Sequence, residues 1–165
     1  MDIRKCIDAL GTDALASDRI IFKKLETERD LWSMGDLYLP DDQSDLVNPL
    51  WFSLGRAYIK PEENLPCLIT RKEDFKVIGF IQLCRFLGCA EESVTWSCFI
   101  IPEHQGMGYG KESVILATRI LGSAFPALKI KVAVEQANIR AQRLYESLGL
   151  SFTGEMDGSD FVYAY

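Results

Sequence analysis

Glycine occupies positions 106, 108 and 110 within Pro102-Glu103-His104-Gln105-Gly106-Met107-Gly108-Tyr109-Gly110-Lys111, a segment that separates a strand pattern from a helix pattern. Upstream, Ser93 to Ile101 reads as a β-strand closed by Pro102. Downstream, Gly110 to Gly122 reads as a helix with Val114, Ala117, Thr118 and Leu121 on one face. Without Cβ atoms the turn between them is free to take positive φ and to set bare peptide N–H groups against a ligand. Successive inward amides make an anion nest, and the helix that follows adds its dipole. Each amide bond to a charged oxygen contributes roughly 1.5–3 kcal/mol, so the loop suits a diphosphate held without a metal. A side chain at Gly108 is expected to fill the diphosphate's place. Two other phosphate motifs are excluded. G-x-x-x-x-G-K-[ST] fails because Glu112 follows Gly110-Lys111 and Gln105 stands where the first glycine belongs; G-x-G-x-x-G fails because the third glycine comes one residue early.

The elements around this loop are readable in order. Residues 1–18 form an irregular or loosely helical leader, and Arg19 to Leu25 a first strand. Thr27 caps a helix expected to run to about Tyr38 and to break at Pro40. Pro49 opens a second helix that carries Leu50, Trp51, Leu54 and Tyr58 and stops near Pro61. Leu65 to Thr70, Lys76 to Phe86 and Ser93 to Ile101 are strands with short links, hence an antiparallel meander. Lys129 to Glu135 is the next strand, reached by a parallel crossover. Asn138 caps a last helix, with Ala141, Leu144, Tyr145 and Leu148 at i, i+3, i+4 and i+7 and Gly149 as its stop. Ser151 to Thr153 and Phe161 to Tyr165 flank the turn Asp157-Gly158. The sum is a mixed sheet with helices on both faces, in a single domain over residues 1–165.

Composition sets the outer limits. The chain is 48% hydrophobic and 25% charged, ordinary for a globular domain. Its net charge of -6 lacks the basic footprint of a nucleic-acid binder and suits a neutral or cationic substrate. Cys6, Cys67, Cys84, Cys89 and Cys98 show no CxxC spacing and read as small apolar residues in a reducing compartment. With His104 as the one histidine, no metal site is expected. The absence of a signal-peptide core and of a span of ~18 apolar residues leads us to expect a cytoplasmic protein with no membrane contact.

The loop resembles the R/Q-x-x-G-x-G/A signature of the GNAT superfamily of N-acetyltransferases, with Gln105, Gly108 and Gly110 at the defining positions. A second block, Asn138 to Leu150, is similar to that family's N-x-x-A-x-x-L-Y-E-x-x-G-F segment and departs only at Leu150. Within the family the chain most resembles the ribosomal-protein-type branch of N-terminal and small-amine acetyltransferases. The resemblance implies a single-domain α/β (α+β) fold, whose mixed, mostly antiparallel sheet of about six to seven strands is flanked by about four helices. It implies acetyl-CoA as cosubstrate, lying in a V between the strands Ser93–Ile101 and Lys129–Glu135. Backbone amides of Gln105, Gly106, Met107, Gly108, Tyr109, Gly110 and Lys111 would take the pyrophosphate. The backbone of Cys98, Phe99, Ile100 and Ile101 would pair with the pantetheine arm and polarise the thioester carbonyl. The acceptor would be an amine, on a small molecule or a protein N-terminus, and the protein a monomer or homodimer.

Direct acylation of an amine needs a proton acceptor, a stabilised carbonyl oxygen and a proton for the departing thiolate. Tyr145 matches the family's general acid and also fits the apolar helix face. Family members place glutamates where this chain has Thr95 and Ala133, so Glu92 is the candidate base, with Glu135 behind it. His104 reads as an exposed loop residue. Asn138 caps its helix and contacts the cofactor. Lys111, Arg140 and Arg143 read as solvated helix charges, and Cys98 has no partner that would make it a nucleophile. The acceptor pocket is expected among residues 28–60, where Trp32, Tyr38, Trp51, Phe52 and Tyr58 lie, some of them in the core. The missing glutamates leave open an acyl-CoA-binding module without catalysis.

Overall fold

Between Lys76 and Phe86 nearly every position is apolar, and this run forms a central strand. The computed structural model describes residues 1–88 and 91–165, so Cys89 lies outside the described residues. In chain order the elements are α1 (Ile3–Asp8), β1 (Ile20–Lys24), α2 (Glu28–Trp32), α3 (Asp41–Ser44), α4 (Leu50–Ile59), β2 (Asn64–Arg71), β3 (Val77–Phe86), β4 (Ser93–Ile100), α5 (Tyr109–Ala124), β5 (Lys129–Val134), α6 (Ile139–Ser147), β6 (Ser151–Asp157) and β7 (Asp160–Ala164). The strands form one seven-stranded sheet in the order β1-β2-β3-β4-β5-β7-β6. β1 to β4 are an antiparallel meander. β4 and β5 are parallel and pair only at Ser93↔Lys129 and Val94↔Ile130. β5 and β6 each pair antiparallel with β7. The sheet is therefore two halves joined at one end of β4 and β5, which part beyond Val94.

Alternation along β3 sends Ile81 and Leu83 to one face and Phe80 to the other. On the first face Ile3 and Ile7 of α1, Val114, Ala117 and Leu121 of α5, and Tyr145 of α6 pack together. On the second, Met34 and Leu37 join Leu50 and Leu54 of α4 against Leu68 and Phe80. A buried polar set fixes α4 to the sheet. Gln82 Nε2 donates to the Ser53 carbonyl at 3.2 Å and to Asn64 Oδ1 at 2.8 Å, and Asn64 Nδ2 donates to the Lys60 carbonyl at 2.9 Å, closing the end of α4.

The structure corrects the sequence reading in several places. The leader contains a helix whose Ile3 and Ile7 are fully buried, so it is core. The helix expected to reach Tyr38 stops at Trp32, because tight turns then fold Met34 and Leu37 onto the sheet. The segment after Pro40 contains the short α3, which brings the described helices to six where about four were expected. None of Trp32, Tyr38, Trp51, Phe52 and Tyr58 is buried; Trp51 is 74% and Tyr58 89% exposed, since α4 packs through Leu50, Ser53 and Leu54 and turns these aromatics outward. β6 extends to Asp157, well past Thr153. Among the described residues, no helix is long and apolar enough to cross a membrane.

Candidate active site

The chain leaves β4 through a single 3₁₀ turn, Pro102–His104, and enters α5 at Tyr109. Gly106 and Gly108 take φ of 76° and 85°, the left-handed region where glycine carries no steric cost. The first helical bond runs from the Glu112 N–H to the Gly108 carbonyl at 3.0 Å, so the N–H groups of Tyr109, Gly110 and Lys111 precede the helical ladder. The Gln105 N–H already donates to the Pro102 carbonyl at 3.1 Å, which takes it out of the expected set of free amides. Gln105 acts instead through its side chain. Its Nε2 donates to the Ile100 carbonyl and to Gln43 Oε1, both at 2.8 Å, and its Oε1 accepts from Arg140 Nη1 at 3.0 Å. The loop is thereby tied to α3 and α6. A Cβ on Gly106 would meet open space, whereas one on Gly108 would come within 3.3 Å of Arg19 Nη2. A side chain at Gly108 would therefore press on Arg19 and would be strained by the positive φ.

Met107 and Lys111 are exposed, and Tyr109 is buried. The Arg19 guanidinium lies 4.6 Å from the Tyr109 ring centroid, and the His104 ring meets the same tyrosine edge-on. His104 is buried rather than exposed, because the 3₁₀ turn folds it inward. Among the described residues neither ring nitrogen has a hydrogen-bond partner, and burial lowers its pKa.

Where β4 and β5 part, a cleft of about 560 Å³ opens. β4 contributes Thr95 to Cys98, β5 and its end Val132 to Glu135, and α6 with its cap Asn138, Ala141 and Tyr145. Gln82 and Cys84 of β3, the segment Ser44 to Pro49, and Asp157, Ser159 and Asp160 of the β6–β7 hairpin also line it. The β3–β4 ladder decides which backbone groups face the parting. The Ile101 N–H donates to the Ile78 carbonyl at 3.0 Å, so by antiparallel alternation Phe99 and Ile101 direct their polar groups at β3. Those of Cys98 and Ile100 face the β5 side, where the Ile100 carbonyl meets Gln105. Of the four residues expected to carry a ligand arm, the ladder leaves these two oriented for it.

Tyr145 is 8% exposed, with the rings of Trp96 and Tyr163 at centroid distances of 6.2 and 6.1 Å. Burial pushes its pKa above the usual phenol value, so it keeps its proton. Burial also pushes the Cys98 thiol up to about 12, away from thiolate chemistry. Asn138 Oδ1 accepts from the Ala141 N–H at 3.1 Å, the expected cap, and the residue also lines the cleft. Glu92 is exposed ahead of β4 and is not brought to the cleft; Glu135 is. Lys111, Arg140 and Arg143 are exposed.

Sequence reasoning missed the acidic wall. Asp45, Glu135, Asp157 and Asp160 come from three separate stretches to one cleft. Burial, then the neighbouring Glu135 and Asp157, raises the pKa of Asp160. Two arginines also line the cleft, and both are engaged. Arg56 Nη2 donates to the Arg85 carbonyl at 3.4 Å, and Arg85 pairs with Glu63 at 3.2 Å. Among the described residues no group of His, Cys, Asp and Glu is placed to hold a metal ion. The left-handed glycines, the amides ahead of α5 and the open edge of β4 fit a diphosphate with an extended arm.

Comparison with known proteins agrees with this geometry. Over a 59-residue stretch, 36% of this chain, the sequence is 34% identical to a spermine/spermidine N(1)-acetyltransferase of Bacillus subtilis (strain 168); the match spans 39% of that relative's length. A putative ribosomal-protein-serine acetyltransferase from Vibrio cholerae has a similar structure, with TM-score 0.67, 13% identity and coverage of 92% of this chain and 95% of the other. So has spermidine N-acetyltransferase from Vibrio cholerae in complex with CoA and spermine, with TM-score 0.63, 21% identity and coverage of 90% and 94%. At these identities the structural matches establish the fold. The model of the Acetyltransferase (GNAT) family matches residues 29–150, which contain the glycine loop, the parted strands and the Tyr145 helix, and the chain belongs to that family.

Proposed function

We propose that the protein transfers the acetyl group of acetyl-CoA to a primary amine of a small polycation. Within the family we infer the small-amine side of the ribosomal-protein-type branch, a reading supported by the resemblance of the two sequence blocks. The observation that carries the acceptor class is the wall of Asp45, Glu135, Asp157 and Asp160 in the cleft that Tyr145 also lines. Four carboxylates gathered against two engaged guanidiniums favour an ammonium-bearing guest, and the net charge of -6 steers cations toward the molecule. The polyamine names of the similar proteins point the same way.

Bound acetyl-CoA supplies the acetyl group as a thioester. The residues that would hold it are the amides of Gly106 to Lys111 and the gap-facing backbone of Cys98 and Ile100. The Cys98 N–H is directed to the parting, where it serves as a donor to a carbonyl oxygen. Tyr145 holds the proton required by the leaving sulfur at its hydroxyl. Trp96, Val132 and Val134 add buried apolar side chains to the lining where the strands part. With Thr95 and Ala133 at the family's glutamate positions, the amine proton leaves through water to Glu135 and Asp160. The inactive-module reading gains no support, since the acid and the donor backbone share one cleft.

The test is CoA release across spermine, spermidine, an aminoglycoside and a peptide with a free N-terminus. The polyamines should show the highest kcat/KM. Asp160→Asn should raise the polyamine KM several-fold while leaving that of acetyl-CoA unchanged. Preference for the peptide, with no effect of Asp160→Asn, would remove the polycation assignment.

A further inference from the structure

Arg19 stands just ahead of β1, 88 residues before the loop carbonyl that it meets. Its Nη1 donates to the Met107 carbonyl at 3.1 Å, its Nε donates to Glu112 Oε2 at 2.7 Å, and its cation lies over the Tyr109 ring. Glu112 is fixed in turn, its Oε1 accepting from the Arg19 N–H at 2.9 Å and from Ser17 Oγ at 2.7 Å. That carboxylate sits in the first turn of α5, where the helix dipole favours a negative charge. The Arg19 side chain is 48% exposed, so the ion pair itself adds little stability. Its effect is on geometry.

The Met107 carbonyl and the Gly108 N–H belong to one planar peptide and point in opposite directions. Holding the carbonyl toward β1 therefore holds the N–H on the other side, into the nest. If the carbonyl were released, that peptide could turn over on the free φ of Gly108 and present an oxygen to an incoming anion. The missing Cβ of Gly108 leaves the room that Arg19 Nη2 occupies. We propose that Arg19 is the positioning residue of the diphosphate loop, fixing the Gly108 amide for the anion through its grip on the Met107 carbonyl. This rests on the reading that the loop holds the diphosphate of CoA.

The experiment is calorimetric titration of CoA into the wild type, Arg19→Ala and Arg19→Lys. Both variants should raise the Kd about tenfold. Lysine keeps the charge but lacks the planar fork that reaches Met107 and Glu112 together. S-acetylpantetheine, which has no diphosphate, should be turned over with the same kcat/KM by all three proteins. Wild-type CoA affinity in Arg19→Lys would show that charge alone suffices and would overturn the proposal, as would an equal loss with S-acetylpantetheine. Should Arg19→Ala fail to fold, the lysine variant carries the test. A wild-type protein that does not bind CoA would defeat the cofactor reading itself, whereas wild-type binding with unaltered variants defeats the role of Arg19 alone.

Discussion

Tyr145 combines two requirements that usually conflict. Its ring is packed between Trp96 and Tyr163, and in the proposed reaction its hydroxyl would give a proton to the leaving sulfur in the cleft that it lines. Burial keeps the phenol neutral, so it stays an acid at alkaline pH. Tyr145→Phe should lower kcat by roughly a hundredfold while leaving the Kd for CoA within about twofold. The pH profile adds a second check. With its pKa raised, Tyr145 stays protonated through about pH 10, where a solvated tyrosine titrates. The wild-type kcat should show no fall there attributable to this residue. A variant with undiminished kcat would return Tyr145 to packing alone. Placement was partly legible: the apolar period puts Tyr145 in the core, and Asn138 stands one residue ahead of its helix as the cap. Arg19 was not, since its contacts are with residues 88 and 93 positions away, and no local pattern encodes such a meeting.

Among the elements, those carrying a long apolar period were readable to within a residue or two. β3, β4, α5 and α6 bury enough of one face for the pattern to show in sequence. α1 has six residues and α3 four, too short for a period to be visible. The six-residue helix is nonetheless core, because Ile3 and Ile7 lie one turn apart on the buried side. α2 holds its place through one carboxylate. Asp30 is 1% exposed, pairs with Lys23 at 2.5 Å, and accepts from the Thr27 N–H at 2.9 Å and from the Glu26 N–H at 3.1 Å. The Lys23 hydrogen bond, helped by those from Thr27 and Glu26, holds its carboxyl well below the usual carboxylate range despite burial. A depressed pKa stabilises the fold above the unfolded value of about 3.9, and that contribution is lost as pH falls below it. Asp30→Ala should cost about 1–3 kcal/mol at pH 7. Thermal melts should show the gap to wild type closing below about pH 3, and a gap independent of pH would refute the ionic account.

For the whole molecule, the family blocks near residues 105–110 and 138–150 made the fold legible, and the comparisons place the chain in that family. The acidic wall is not visible in sequence because its carboxylates lie at element ends, where charge is ordinary, and only the folded sheet gathers them. Ligand linkage is the test at this scale. At about a hundred times its Kd, acetyl-CoA should stabilise the fold by ~2.7 kcal/mol, raising Tm by about 5–10 °C, while NAD and ATP leave it unchanged. An equal rise with ATP would point to an unspecific phosphate site.

The two halves of the sheet share only the register pairs at Ser93 and Val94, so the sheet has a free edge in its interior. An unpaired edge on the outside of a protein invites other chains and aggregation. Here the edge lies inside the cleft, flanked by β5 and by Ala141 and Tyr145 of α6, so a guest with an extended backbone can add to it as a strand would.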